Sequence, residues 1–108
     1  MEDIRHRLDD LEYREHSLRQ MAERGIHPRA VHEALSSADA EIIEQYPGHF
    51  YGSCCLVLGW WGQRRPLHVV IATSNPLWVI SVWDPSIDPK NRWEADFKTR
   101  RSSGGGME

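Results

Sequence analysis

Six histidines are the side chains of this 108-residue sequence best suited to moving protons or holding a metal. His6, His16, His27, His32, His49 and His68 form no i,i+4 pair on one helix face and have no Cys-x-x-Cys partner, so no metal site and no cofactor is expected. Phosphate-cradling glycine loops, nucleophile elbows and paired-carboxylate signatures are missing too, which removes the common hydrolase and nucleotide-binding chemistries. Two patterns remain. Trp60-Trp61 followed by Arg64-Arg65 interleaves aromatic rings with cations, the chemistry that holds single-stranded RNA, and an exposed tryptophan pair would equally suit a protein partner. At least one of the two rings is expected in the core. Strand alternation places His68 opposite Leu67, Val69 and Ile71, and groups Ser81 and Trp83 with Leu77 and Val79 on the following strand. If His68, Ser81 and Trp83 look the same way, they form a polar-aromatic face able to titrate near neutrality and to stack on a base. Packing of Trp83 beneath the C-terminal segment is the preferred alternative.

The elements that must position these residues follow from periodicity. Ile4, Leu8, Leu11, Leu18, Met21 and Ala22 recur at helical spacing before Gly25, which predicts helix over residues 3–24. The apolar position expected near Glu15 is missing, and a break at Tyr13 to His16 with a short extended segment is an equal alternative. Pro28 suits the first position of a second helix, with His27 as cap, Ile26 and Val31 as hydrophobic staple, and Ser36-Ser37 as its end. Glu41–Tyr46, Ser53–Trp60, Leu67–Thr73 and Leu77–Trp83 then read as strands. Their connections, Pro47-Gly48, Gly62 to Pro66 and Ser74-Asn75-Pro76, are too short for parallel crossovers, so an antiparallel meander is expected. Met21, Val31, Leu35, Leu58, Val69, Ile71 and Ile80 are predicted to meet in one core. Trp93 and Phe97 should pack a short C-terminal segment back on the sheet, and residues 102–108 read as a disordered tail.

The fold class expected is therefore α+β, a single domain over residues 1–101 with N-terminal helices, a four-stranded antiparallel sheet and a short C-terminal segment. An apolar fraction of 40% with five tryptophans suffices for a core. Cys54 and Cys55 are adjacent in a predicted strand, point to opposite faces and read as reduced core residues rather than a disulfide. With no long apolar run and no signal-peptide layout in Met1 to Asp10, a cytoplasmic protein without a membrane partner is expected. The net charge of −3 argues against a protein that coats nucleic acid. Charge is unevenly divided, however: residues 1–46 carry eleven acids and six bases, residues 47–108 five acids and seven bases. Eleven of the thirteen bases are arginine, suited to planar recognition of phosphate or carboxylate.

His16-x-x-x-x-Met21-x-x-Arg24-Gly25-Ile26 is followed in order by Tyr46-Pro47, Leu58-Gly59 and Arg65-Pro66-Leu67-His68-Val69-Val70. Ile80-Ser81-Val82-Trp83-Asp84-Pro85 and Trp93-x-x-x-Phe97-x-x-Arg100 complete the series. This layout resembles the bacterial family called domain of unknown function 4258 over roughly residues 11–101. That family is similar in architecture to RelE-like and MqsR-like ribonuclease toxins, and its members often stand beside a zinc-bearing, DNA-binding antitoxin. The resemblance implies an RNA-cleaving toxin or a descendant of one, with a cognate antitoxin and RNA as partners. Carried over by position, the family's polar signature residues are His16, Arg24, His68 and Arg100. The chain departs from the pattern in having Gln20 where the family has Arg, and Ser81-x-Trp83 where it has Thr-x-Tyr. A lost cation would weaken phosphate binding.

Two functional readings follow. In the first, RNA is cleaved without a metal by attack of the 2′-hydroxyl on the neighbouring phosphate. His16 or His68 would serve as general base or acid, and Arg24 and Arg100 would stabilise the phosphorane. In the second, a non-catalytic module binds a protein or single-stranded RNA through Trp60, Trp61, Arg64, Arg65, Ser81 and Trp83. The first requires His16, Arg24, His68 and Arg100 to gather in one groove, with a histidine within roughly 10 Å of two arginines.

Overall fold

The computed structural model describes residues 1–101, and the predicted tail lies outside the described residues. The N-terminal third takes the interrupted form. Helix α1, Glu2–His6, gives way to a single 3-10 turn at Leu8–Asp10 and to a two-residue strand β1, Glu12–Tyr13. Helix α2, Glu15–Glu23, follows. Its first turn is closed by Ser17, whose hydroxyl accepts from Arg14 N at 3.1 Å and donates to Arg14 O at 2.9 Å. Gly25, with φ of +68°, stops the helix in a left-handed conformation that favours glycine. Helix α3 spans Pro28–Ser36, and its cap is His27, whose Nδ1 accepts from Arg29 N at 3.0 Å. Ile26 and Val31 are both buried across that cap.

Strands β2 (Glu41–His49), β3 (Gly52–Trp61), β4 (Arg65–Ala72) and β5 (Trp78–Trp83) form the predicted meander. The sheet has five strands rather than four and is mixed, in the order β1-β5-β4-β3-β2. The addition is β1, which pairs in parallel with β5 through Glu12–Trp78 and Tyr13–Val79. Pro47-Gly48 is not the β2–β3 turn: both residues are absorbed into β2 at an irregularity between Tyr46 and His49, and the chain reverses at Phe50-Tyr51. β2 is an edge strand, where a bulge tolerates a proline that cannot donate to a ladder.

The helices cover one face of the sheet and enclose Met21, Val31, Leu35, Cys55, Val57, Leu67, Val69, Ile71 and Val79. The opposite face buries Cys54, Leu56, Val70, Ala72 and Trp78, and the segment after β5 lays Trp93 across it. Two residues assigned to the helix-side core therefore belong elsewhere. Leu58 alternates with Val57 and Gly59 and lies beside His68 in the β3–β4 register, while Ile80 packs on the second face. The assignment of Trp83 to the face of Leu77 and Val79 also fails. A register shift at Ile80 inserts one residue into β5, so Trp83 instead stands across from His68 on the second face. Leu58 is fully buried there, and Leu58→Ala should cost roughly 2–5 kcal/mol of unfolding free energy in denaturant titration. Among the described residues, no helix is long and apolar enough to cross a membrane.

Candidate functional site

β1 pairs with only the first two residues of β5, which leaves the last part of that edge strand open. Helix α2 fills the gap with side chains one turn apart. Gln20 Oε1 accepts from Val82 N at 3.1 Å and from Ser81 Oγ at 2.7 Å, and Arg24 Nη1 donates to Val82 O at 2.6 Å. Both polar groups of an edge residue are thereby satisfied by a helix acting as a strand would. Gln20 and Ser81, two of the three residues at which the chain departs from the resemblance set out above, are thus hydrogen-bonded to each other. An arginine at position 20 could not accept from Val82 N and Ser81 Oγ as Gln20 does.

Arg24 leads into a cleft of about 570 Å³. Ile26, Trp83, Trp93, Ile87 and Pro89 supply its apolar lining, and Arg24, Lys90, Arg92 and Arg100 its cations. Ser81, Asp84 and Asp88 complete it, so four cations face two carboxylates and the lining carries a net charge of +2. The turn Pro85–Ile87 is set by Asp84 Oδ1, which accepts from Ser86 N at 2.8 Å and from Ser86 Oγ at 2.6 Å. It raises Ile87 over the cleft with 73% of its surface exposed.

Two of these arginines are fixed by carboxylates. Arg92 Nε and Nη2 donate to Asp88 at 2.8 and 3.2 Å, and this guanidinium holds the Asp88 carboxyl well below the usual carboxylate range. Arg100 Nε and Nη2 donate to Glu44 at 2.7 and 2.9 Å, with the guanidinium 4.6 Å above the Trp93 ring. Glu44 is pulled below its ordinary range chiefly by that bond. Tyr46 also donates to Glu44, and burial together with this carboxylate pushes its phenol up to about 12. Lys90 has no ion-pair partner among the described residues.

The structure divides the four residues carried over as catalytic. Arg24 and Arg100 reach the cleft; neither histidine lines it. His16 is exposed on the first turn of α2, eight positions from Arg24 and roughly 12 Å away along the helix axis. His68 is completely buried. Trp83 and Trp93 stand edge-on to its ring at 5.6 and 4.5 Å, and Nε2 donates to Phe97 O at 2.7 Å. That bond leaves the proton on Nε2, and Nδ1 is buried without a partner. Desolvation pushes the imidazole pKa down against the Phe97 carbonyl, Glu44 and Asp84, which act to raise it. The one groove required for four-residue catalysis is therefore not formed, because the segment that brings Arg100 to the cleft also seals His68 behind two tryptophans.

Of the residues read as binding ones, Ser81 and Trp83 line the cleft and the β3–β4 turn does not. Trp60 and Trp61 point to opposite faces of β3 by alternation. Each is already covered by a guanidinium, Trp60 by Arg64 at 4.4 Å and Trp61 by Arg65 at 4.6 Å. Trp61 packs against the helix-side core, while Trp60 meets Phe97. Arg64 is paired with Asp39, and Arg65 lies 3.7 Å from Asp84. Lys90, Arg92, Trp93, Ile87 and Asp88 were not singled out from the sequence as site residues. The spacing Asp88-x-x-x-Arg92 and the Asp84-Pro85-Ser86 turn were the signals present. No three His, Cys, Asp or Glu side chains cluster as metal ligands among the described residues.

No curated protein and no solved structure matches the chain. A family model does, over residues 13–84, from β1 to the Asp84 that opens the cleft turn. That span holds Arg24, Ser81 and Trp83 but stops short of Lys90, Arg92, Trp93 and Arg100. With two thirds of its length matched, the chain belongs to the family described as Domain of unknown function (DUF4258).

Proposed function

We propose that the domain is a non-catalytic module that binds single-stranded RNA in the cleft between α2, β5 and the C-terminal segment. The observation that carries this reading is the convergence of Arg24, Lys90, Arg92 and Arg100 on a cleft that presents the partly buried Trp83, with Trp93 buried in its wall beneath Arg100. Cations beside aromatic rings are how unpaired strands are held, phosphate to guanidinium and base to ring. The cleft is large enough for an unstacked nucleotide, and a base can reach the Trp83 ring only after leaving its stack, which favours a single strand. Asp84 Oδ2, the carboxylate oxygen not used in the Ser86 turn, is an acceptor for a 2′-hydroxyl, the group that separates RNA from DNA. A toxin-like ribonuclease needs an acid and a base within hydrogen-bond reach of the scissile phosphate. With His68 sealed and His16 outside the cleft, the support lies with binding, and an antitoxin partner has no feature here that calls for it.

Tryptophan fluorescence should change on adding a short oligoribonucleotide, more than with its deoxy counterpart. Log affinity should fall with log salt at a slope of about −0.7 to −1.4, as for one or two neutralised phosphates. Ile87→Asp, an exposed substitution that adds a negative charge to the cleft, should weaken binding by on the order of tenfold without changing the unfolding midpoint. Cleavage of the oligonucleotide by the unmodified protein would restore the ribonuclease reading. Binding of an acidic peptide but not of RNA would move it to a protein partner.

A further inference from the structure

We infer that the cleft recognises a phosphorylated end of the RNA, a terminal phosphomonoester, rather than a phosphodiester inside the strand. This rests on the RNA-binding reading and narrows its ligand. Charge is the first argument. The lining carries +2, and counting the outer partners as well, Glu44 behind Arg100 and Arg65 beside Asp84, leaves it at +2. An internal phosphodiester brings about one negative charge, whereas a terminal phosphate brings about −1.5 to −2 at neutral pH. A terminal group therefore balances the cleft with a single phosphate, where internal phosphodiesters would need two.

Donor geometry is the second argument. Arg92 and Arg100 each commit Nε and Nη2 to a carboxylate and keep Nη1, and Arg24 commits Nη1 to Val82 O and keeps Nε and Nη2. Each of the three guanidinium groups thus keeps at least one nitrogen outside these bonds, and all three line the one cleft together with Lys90. A phosphodiester has two non-bridging oxygens; a terminal phosphate has three strong acceptors and matches three arginines. The apolar wall of Ile26, Trp83, Ile87 and Pro89 then lies beside the phosphate site for the terminal base.

The test compares three oligoribonucleotides of one sequence by fluorescence titration: 5′-phosphorylated, 3′-phosphorylated, and hydroxyl at both ends. One phosphorylated end should bind about tenfold more tightly than the hydroxyl-ended strand, and which end does so gives the strand's direction in the cleft. Lys90→Gln should cut that preference to about threefold, while Lys98→Gln, which removes a cation paired with Glu41 away from the cleft, should leave it intact. Equal affinity for all three strands overturns the inference and leaves the RNA reading standing. A preference untouched by Lys90→Gln places the phosphate elsewhere and also overturns it. Failure of every strand to bind removes both.

Discussion

Gly59→Ala is expected to be the most damaging single-methyl substitution in the domain, lowering stability by about 3 kcal/mol or more and leaving much of the protein unfolded in mild denaturant. A Cβ at this position would lie 2.2 Å from Ala34 O, 2.6 Å from Ala34 C and 3.0 Å from Ala34 Cβ. Two of those three atoms are backbone, so no rotamer change relieves the contact. The last turn of α3 is held close from the other direction as well: Ser37 Oγ donates to Ala34 O at 2.6 Å and accepts from Trp60 N at 3.2 Å. Relief would require α3 to lift off β3 by about 1 Å, opening the interface where Val31, Ala34 and Leu35 are completely buried. Gly48→Ala is the matched control, since a Cβ there meets nothing within 4 Å, and it should change stability by less than about 0.5 kcal/mol. Equilibrium unfolding followed by far-UV dichroism separates the two. A Gly59→Ala protein as stable as the Gly48→Ala protein would mean that α3 does not sit on β3 at this distance.

Gly59 also illustrates what a single sequence conceals. Inside a strand-like run it reads as a weak spot, because the residue that requires its bare backbone is twenty-five positions away on α3. Local chemistry was legible: Pro28 with its His27 cap, the Gly25 stop, and four strands found close to their true bounds. The fifth strand was not, because Glu12-Tyr13 is too short to show a period and its extended form is dictated by the open edge of β5. Ile80 looked like an ordinary alternating residue, and only pairing with β4 makes it the extra residue that sends Trp83 to the second face.

The same division holds for the cleft. Ser81 and Trp83 were visible because they sit in a strand, whereas Arg24 and Arg100 were visible only through the family resemblance. Lys90, Arg92 and Ile87 lie in irregular chain, where neither period says which way a side chain faces. His68 was placed on the correct face of β4, and of the two readings of that face the preferred one, with Trp83 packed beneath the C-terminal segment, is the one observed, while the open polar-aromatic face is not. The C-terminal segment supplies Trp93 as a cover and the Phe97 carbonyl as a partner, and it converts an expected surface histidine into a core one.

That burial has a consequence for acid stability. Desolvation lowers the His68 pKa in the folded state below its ordinary value near 6.5, so the unfolded chain takes up a proton at this residue more readily than the folded one. The stability contribution is therefore full above about pH 6.5 and declines as pH falls below it, with a slope of at most about 1.4 kcal/mol per pH unit. Glu44, Asp39, Asp88 and Asp96 have depressed values and lose their contributions only when pH falls below the ordinary carboxylate range. The window from about pH 6.5 to 5 thus isolates the histidine. Protonation would place an N–H on the buried, partnerless Nδ1, next to Trp83 and Trp93, and Arg100 opposes the added charge while Glu44 and Asp84 favour it. Because Nε2 is tied to Phe97 O, the first part of the fold to loosen should be the segment carrying Trp93, Phe97 and Arg100. Unfolding free energy should accordingly fall between pH 7 and pH 5 in step with a red shift of tryptophan emission. His68→Gln keeps an N–H able to reach Phe97 O and has no charged form, so it should show a flat profile over that range whatever its absolute stability. An equally steep acid slope in His68→Gln would assign the effect to other groups and detach His68 from the hold on the C-terminal segment.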